Sequence, residues 1–145
     1  MDCCCYNRPF DDLTQGRIRV ESGIIMWILN ECQSGNYELI GSVALEAEIS
    51  RISNLEKRGN VLNIYSLTSN FVNLDWEIKQ RAEEIRGISN IQTFDSYHIA
   101  SAEMAHADVM LTTDIKLIKM ATRLQLKVDV MNPTTFMSRY IYGGE

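Results

Sequence analysis

Val109-Met110-Leu111 is apolar at every position. Successive strand side chains point to opposite faces, so a strand can be wholly apolar only if both faces are covered. That is the condition of a strand in a parallel sheet between helices. The segment before it brings Ile99, Ala100, Ala102, Ala105 and Ala107, small and apolar enough for a helix to lie close on a sheet. Asp95 opens that predicted helix. Thr112-Thr113-Asp114 follows the strand, where a second helix is predicted from near Ile115. Sheets of this kind bind their ligands outside the carboxyl ends of the strands. Asp114 therefore stands where such folds do chemistry.

The rest of the chain repeats this alternation. Apolar residues at Ile18, Ile25, Ile28, Leu29 and Cys32 have a helical period, with Thr14 as its cap and Gly35-Asn36 as its end. Short strands are predicted at Tyr37 to Ile40, Phe71 to Leu74 and Val128 to Met131. Ser42 is placed to cap a helix reaching about Lys57, a further helical piece spans Val61 to Ser69, and Asp75 is placed to cap another that ends at Gly87. A tail helix is predicted from Thr134. Strands alternating with helices imply an α/β fold with a parallel sheet covered on both faces. With 145 residues, 46% of them hydrophobic, and only 2 prolines, the chain is expected to be one domain over 1–145.

Charge and cysteine usage narrow the function classes. The formal net charge is −5, which argues against a protein that coats nucleic acid generally but permits a local basic patch. No apolar run approaches the length of a membrane span, and no signal peptide is evident, so a cytoplasmic protein is expected. The 4 cysteines are Cys3, Cys4, Cys5 and Cys32. Three in a row cannot pair among themselves in an ordinary disulfide framework, and no His or Cys pair has zinc-ligand spacing. They are expected to be reduced thiols, buried in an opening strand.

Acidic residues recur beside predicted strand ends: Asp2, Asp95 and Asp114. Glu46 or Glu48, on the helix after Ser42, supplies a fourth. These two lie about 200° apart around a helix, so only one can face the sheet. Hard divalent cations prefer oxygen ligands. A cluster of carboxylates without a cation would repel itself and raise its own pKa values. Phosphodiester hydrolysis is the natural use of carboxylates sharing such an ion. Taken singly, Asp95 and Asp114 read equally well as helix caps.

Met1-Asp2, the helix containing Glu48, Phe94-Asp95-Ser96-Tyr97-His98-Ile99-Ala100-Ser101-Ala102 and Leu111-Thr112-Thr113-Asp114 together resemble the PIN-domain family, which includes VapC-type toxins of bacterial toxin–antitoxin pairs. The resemblance covers nearly the whole chain. It implies a three-layer α/β/α fold with a mostly parallel central sheet and a Mg²⁺- or Mn²⁺-dependent ribonuclease site. Asp2, Asp95 and Asp114 correspond to metal ligands and Glu48 to the helix carboxylate, with Glu46 left open. Thr112 and Thr113 would orient the acids through their hydroxyls. RNA as substrate, an antitoxin protein as partner and a homodimer are the corresponding expectations. Family members carry several residues before the first aspartate. Here only Met1 precedes it, so a short first strand made of Asp2 to Cys5 is expected, and a catalytically weak PIN-like scaffold or binding module is the alternative. A signalling receiver domain fits less well, because neither its central-strand aspartate nor its later lysine is found.

Several other residues carry expectations. Lys116, Lys119, Arg123 and Lys127 are spaced as one helical face that would track an RNA backbone or simply meet solvent. Arg8 would reach a phosphate or pair with Asp11 or Asp12. His98, three residues after Asp95, is expected at the edge of the core with a hydrogen bond. Trp27 and Trp76 are expected to pack in the core or at a dimer contact. No P-loop, nucleophile elbow or dinucleotide glycine pattern occurs.

Overall fold

A computed structural model describes residues 1–143. The chain opens with a helix. Asp2 has extended backbone and its carboxylate accepts the Cys5 amide at 3.1 Å, so Asp2 is the N-cap of α1, Cys3–Asn7. This corrects the expected short first strand of Asp2 to Cys5. Three cysteines and a tyrosine have little intrinsic preference, and the cap decides. A 3₁₀ turn over Arg8–Phe10 follows, with Pro9 in its first turn.

Helix α2, Gly16–Gln33, buries Ile25, Ile28 and Leu29. Its N-cap is Gln15. Thr14 instead turns its hydroxyl to Asp12 at 2.6 Å. Then come β1 (Ile40–Ser42), α3 (Val43–Ile49), α4 (Leu55–Tyr65), β2 (Asn70–Val72) and α5 (Trp76–Gly87). Ser42 and Asp75 cap α3 and α5 as predicted. The helix expected to run from Ser42 to about Lys57 is broken after Ile49, and Asn54 caps a new one at 3.0 Å from the Lys57 amide.

The C-terminal half holds α6 (Thr93–Met104), β3 (Val109–Leu111), α7 (Ile115–Ala121), β4 (Asp129–Met131) and α8 (Pro133–Phe136), with a π-type turn over Met137–Tyr142. Asp114 caps α7 through the Leu117 amide at 3.2 Å. Because α7 stops at Ala121, Arg123 and Lys127 lie beyond it and the expected four-residue basic face does not form. Lys116 and Lys119 alone share it, both exposed.

The class is α/β, and its strands are parallel. They form two separate pairs, β1 with β2 and β3 with β4. Among the described residues no strand joins the pairs into the continuous sheet that was expected. Helix α6 packs on both β1 and β3.

The larger core cluster gathers Cys5, Tyr6, Ile25, Leu29, Ile49 and Val61; a second gathers Ile85, Ile91, Ile99, Met110, Leu117 and Val128. Trp27 packs on the first, edge-on to Tyr37. Trp76 lies outside the core, 68% exposed at the start of α5. Cys3, Cys4, Cys5 and Cys32 are free thiols, with Cys3 and Cys5 buried and Cys4 exposed. No helix among the described residues is long and apolar enough to cross a membrane.

Candidate active site

Three carboxylates from distant parts of the chain lie within electrostatic reach of Asp95. Asp2 caps α1, Glu48 lies near the end of α3, Asp95 sits in the first turn of α6, and Asp114 caps α7. Burial pushes the Asp95 carboxyl up to about 6, and the charges of Asp2, Glu48 and Asp114 push the same way against the relief from His98.

Each acid is held by its own local structure. Asp2 is 3% exposed. Burial raises its pKa, opposed by the Thr112 hydroxyl and the Cys5 amide. Its backbone N–H donates to the Leu111 carbonyl at 3.0 Å, which fixes the chain start to the end of β3. Thr112 is fully buried and also accepts the Asp114 amide at 3.1 Å. One hydroxyl thus fixes the Asp114 turn and favours the charged form of Asp2. Thr113 is buried, and its carbonyl accepts Arg17 Nη2 at 2.6 Å, tying the acidic turn to α2.

The choice left open on α3 has a geometric answer. Glu48 Oε1 lies 2.9 Å from His98 Nε2, on the side of Asp95. Glu46 is exposed and accepts the Tyr65 hydroxyl at 2.8 Å. Glu48 therefore faces α6, where its charge acts on Asp95, and Glu46 belongs to the α4 contact. His98 is buried, as expected of a core-edge histidine with a hydrogen bond.

Arg8 is not free to reach a phosphate. Its guanidinium is 3.2 Å from Asp11, and its Nε is 3.0 Å from Glu21 Oε1, although off the hydrogen-bonding direction. Glu21 is 1% exposed and also meets Arg17 at 3.2 Å and Asn132 at 2.5 Å. This cluster braces α2 against the turns carrying the acids.

Three residues at the site escaped the sequence reading. Arg17 is one; its only local signal is its spacing of four from Glu21. Cys4 is another. Desolvation, and then Asp2, Glu48 and Asp95, push its thiol up to about 12, so it is neutral at physiological pH. Arg51, three residues after Glu48, is the third: it sits 4.9 Å above the ring of Phe94, which stacks on His98. Its side chain is exposed.

Among the described residues, no group of three or more His, Cys, Asp or Glu side chains is already arranged to hold a metal ion. The reason is visible in the bonds above: Asp2 and Asp114 are turned onto helix amides and Glu48 onto His98. Their chemistry nevertheless suits a hard cation, since they are oxygen donors whose crowding disfavours ionisation of Asp95. No protein family, curated protein or solved structure matches the chain.

Proposed function

We propose that the chain is a PIN-type, metal-dependent endoribonuclease with the three-layer α/β/α architecture of that family. The observation that carries this reading is that Asp2, Glu48 and Asp114, from distant parts of the chain, all lie close enough to Asp95 for their charges to act on it. That proximity costs charge repulsion. Asp2, Asp95 and Asp114 would hold Mg²⁺ or Mn²⁺. The chemistry such an ion supplies when bound is neutralisation of phosphate charge and a more acidic water.

The protein's own residues divide the remaining work. Thr112 accepts the Asp114 amide and so fixes the turn that carries Asp114, while Asp2, Asp114 and Glu48 would have to leave their present donors to share an ion. His98 holds Glu48, which would orient a water or take its proton. Lys116, Lys119 and Arg51 offer charge to the RNA backbone. The resemblance supports a toxin role with an antitoxin partner and a homodimer.

A second reading, a catalytically weak PIN-like scaffold, is favoured by one observation: the pocket's carboxylates are engaged by protein donors. Cleavage of a mixed RNA pool with Mn²⁺, with EDTA as control, separates the two. The nuclease reading expects EDTA-sensitive cleavage that falls on the order of 100-fold or more in Asp95→Asn, a change to the metal set. Equal cleavage by both proteins, or none by the folded native chain at millimolar Mn²⁺, supports the scaffold.

A further inference from the structure

The turn after β3 is met from α2 by an arginine that is held at two points. Arg17 Nε donates to Glu21 Oε2 at 3.2 Å, and Arg17 Nη2 donates to the Thr113 carbonyl at 2.6 Å. Glu21 and Thr113 are both buried, so both anchors are fixed in the protein interior. That carbonyl belongs to the peptide bond joining Thr113 to Asp114, so the guanidinium lies against the backbone that carries Asp114. A guanidinium has five donors in one plane. Two are used here, and among the described residues nothing accepts from Nη1. The Arg17 side chain is 50% exposed.

The neighbouring charges are engaged differently. Arg8, 15% exposed, lies against Asp11 and Glu21, and Lys57 reaches Asp11 at 3.0 Å. Three cations, Arg8, Arg17 and Lys57, thus face two acids, Asp11 and Glu21, and one positive charge is left over. Arg17 is the most exposed of the five and has donors to spare. Preorganisation separates it from the lysines. An ammonium on a flexible stem, as at exposed Lys116 and Lys119, must be ordered when a ligand arrives. The Arg17 guanidinium is ordered already, so an anion meeting it loses less of its binding energy to ordering.

We propose that Arg17 contacts the substrate directly, its outer donors binding a non-bridging phosphate oxygen of the RNA strand at the phosphate nearest the Asp114 turn. This rests on the nuclease reading, which supplies the polyanion, and adds the residue that grips the strand and the group it grips. The hydrogen bonds formed are charge-assisted, with guanidinium as donor and phosphate as acceptor. A simple brace between α2 and the turn would need only the two inner bonds, and it would release no counterions when RNA binds.

The test measures binding of a labelled single-stranded RNA of mixed sequence by fluorescence anisotropy, with Ca²⁺ in place of Mg²⁺, from about 50 to about 200 mM salt. Losing one phosphate contact on a single strand should flatten the slope of log affinity against log salt by about 0.7. Arg17→Met should show that change, with binding about tenfold weaker on every sequence tried. Arg19→Met is the control. Arg19 is exposed, carries the same charge and lies about 200° away around α2, so its loss should leave the slope nearly as in the native chain. Should Arg17→Met misfold, Arg17→Gln, which keeps a donor for the Thr113 carbonyl, should show the same flattening. An unchanged slope in the folded Arg17 variant would make Arg17 a brace and overturn the proposal, as would an equal change in Arg19→Met. The nuclease reading fails separately: strand binding with no EDTA-sensitive cleavage in Mn²⁺ would sink that reading, and the slope would still decide the role of Arg17. No binding by the folded native chain would overturn both.

Discussion

Helix α6 carries two largely buried carboxylates whose fates differ. Asp95 lies in its first turn, where the helix dipole favours a negative charge, and Glu103 in its last turn, where the dipole opposes one. The dipole alone would make Asp95 the stronger acid. The reverse holds. Burial raises Glu103, but Arg81 donates to it at 2.7 and 3.3 Å and the Lys127 amide at 2.8 Å, and its pKa ends below the ordinary value. Asp95 has no such cation. Burial and three neighbouring acids push it to about 6. Partners, not burial or helix position, decide whether a carboxylate on this helix is structural. The end with the compensated charge holds α6 to α5 and the β4 approach. The end with the uncompensated charge is where an added cation would relieve repulsion.

Breaking the compensated end should have the largest effect on stability. Arg81→Met leaves Glu103, only 5% exposed in its side chain, buried without its cation. The expected loss is about 2–3 kcal/mol, reduced from the full buried-pair value because Arg81 reaches solvent. Urea denaturation at neutral pH measures it. A loss below about 0.5 kcal/mol would mean that the pair is only a surface bridge.

The two ends should also part in their pH dependence. Between about 4 and 6, folded Asp95 keeps a proton that the unfolded chain, with its ordinary value of 3.8, has released. Stability contributed by that proton is therefore lost as pH rises through this window. The drop is about 1–2 kcal/mol after allowing for solvent screening. Asp2, also raised, adds in the same direction. Glu103, with its pKa lowered from 4.5, acts oppositely: its contribution is present above that value and is lost as pH falls below it. Urea midpoints from pH 3 to 8 on the native chain and Asp95→Asn separate the two, and the variant should lose most of the decline between 4 and 6. An unchanged pH profile would show that Asp95 is not the strained group.

A smaller change tests the hydroxyl that serves two acids. Thr112→Val keeps the shape but removes the hydroxyl that accepts the Asp114 amide and favours the charged form of Asp2, in a fully buried position. A loss of about 1–2 kcal/mol is expected by urea denaturation, together with a further rise in the Asp2 pKa. A neutral effect would remove Thr112 from the site's support.

The stretch from Asp95 to Asp114 was legible in the sequence because its signals are local. The all-apolar Val109-Met110-Leu111, the small residues of α6 and the aspartate that caps α7 all act within a few residues. Where local signals compete, reading failed. Cys3–Asn7 has no strong preference, and the Asp2 cap turned an expected strand into α1. The basic face was cut short because α7 ends at Ala121, leaving Lys127 with its amide bound to Glu103. The bracing of Glu21 by Arg8 and of Thr113 by Arg17 joins residues far apart, and no local periodicity records such pairs. Glu48 and Glu46 were separable only by what faces them, His98 in one case and Tyr65 in the other.

The central claim is that Asp95 is held in a pocket of acids suited to a divalent cation. Carbon-13 NMR titration of the Asp95 carboxyl, with and without millimolar Mg²⁺, tests it most directly. The account predicts a midpoint near 6 without the ion and a fall of at least about one unit with it, as a bound cation favours the carboxylate. An ordinary midpoint without Mg²⁺, or a raised one that the ion does not move, would contradict it.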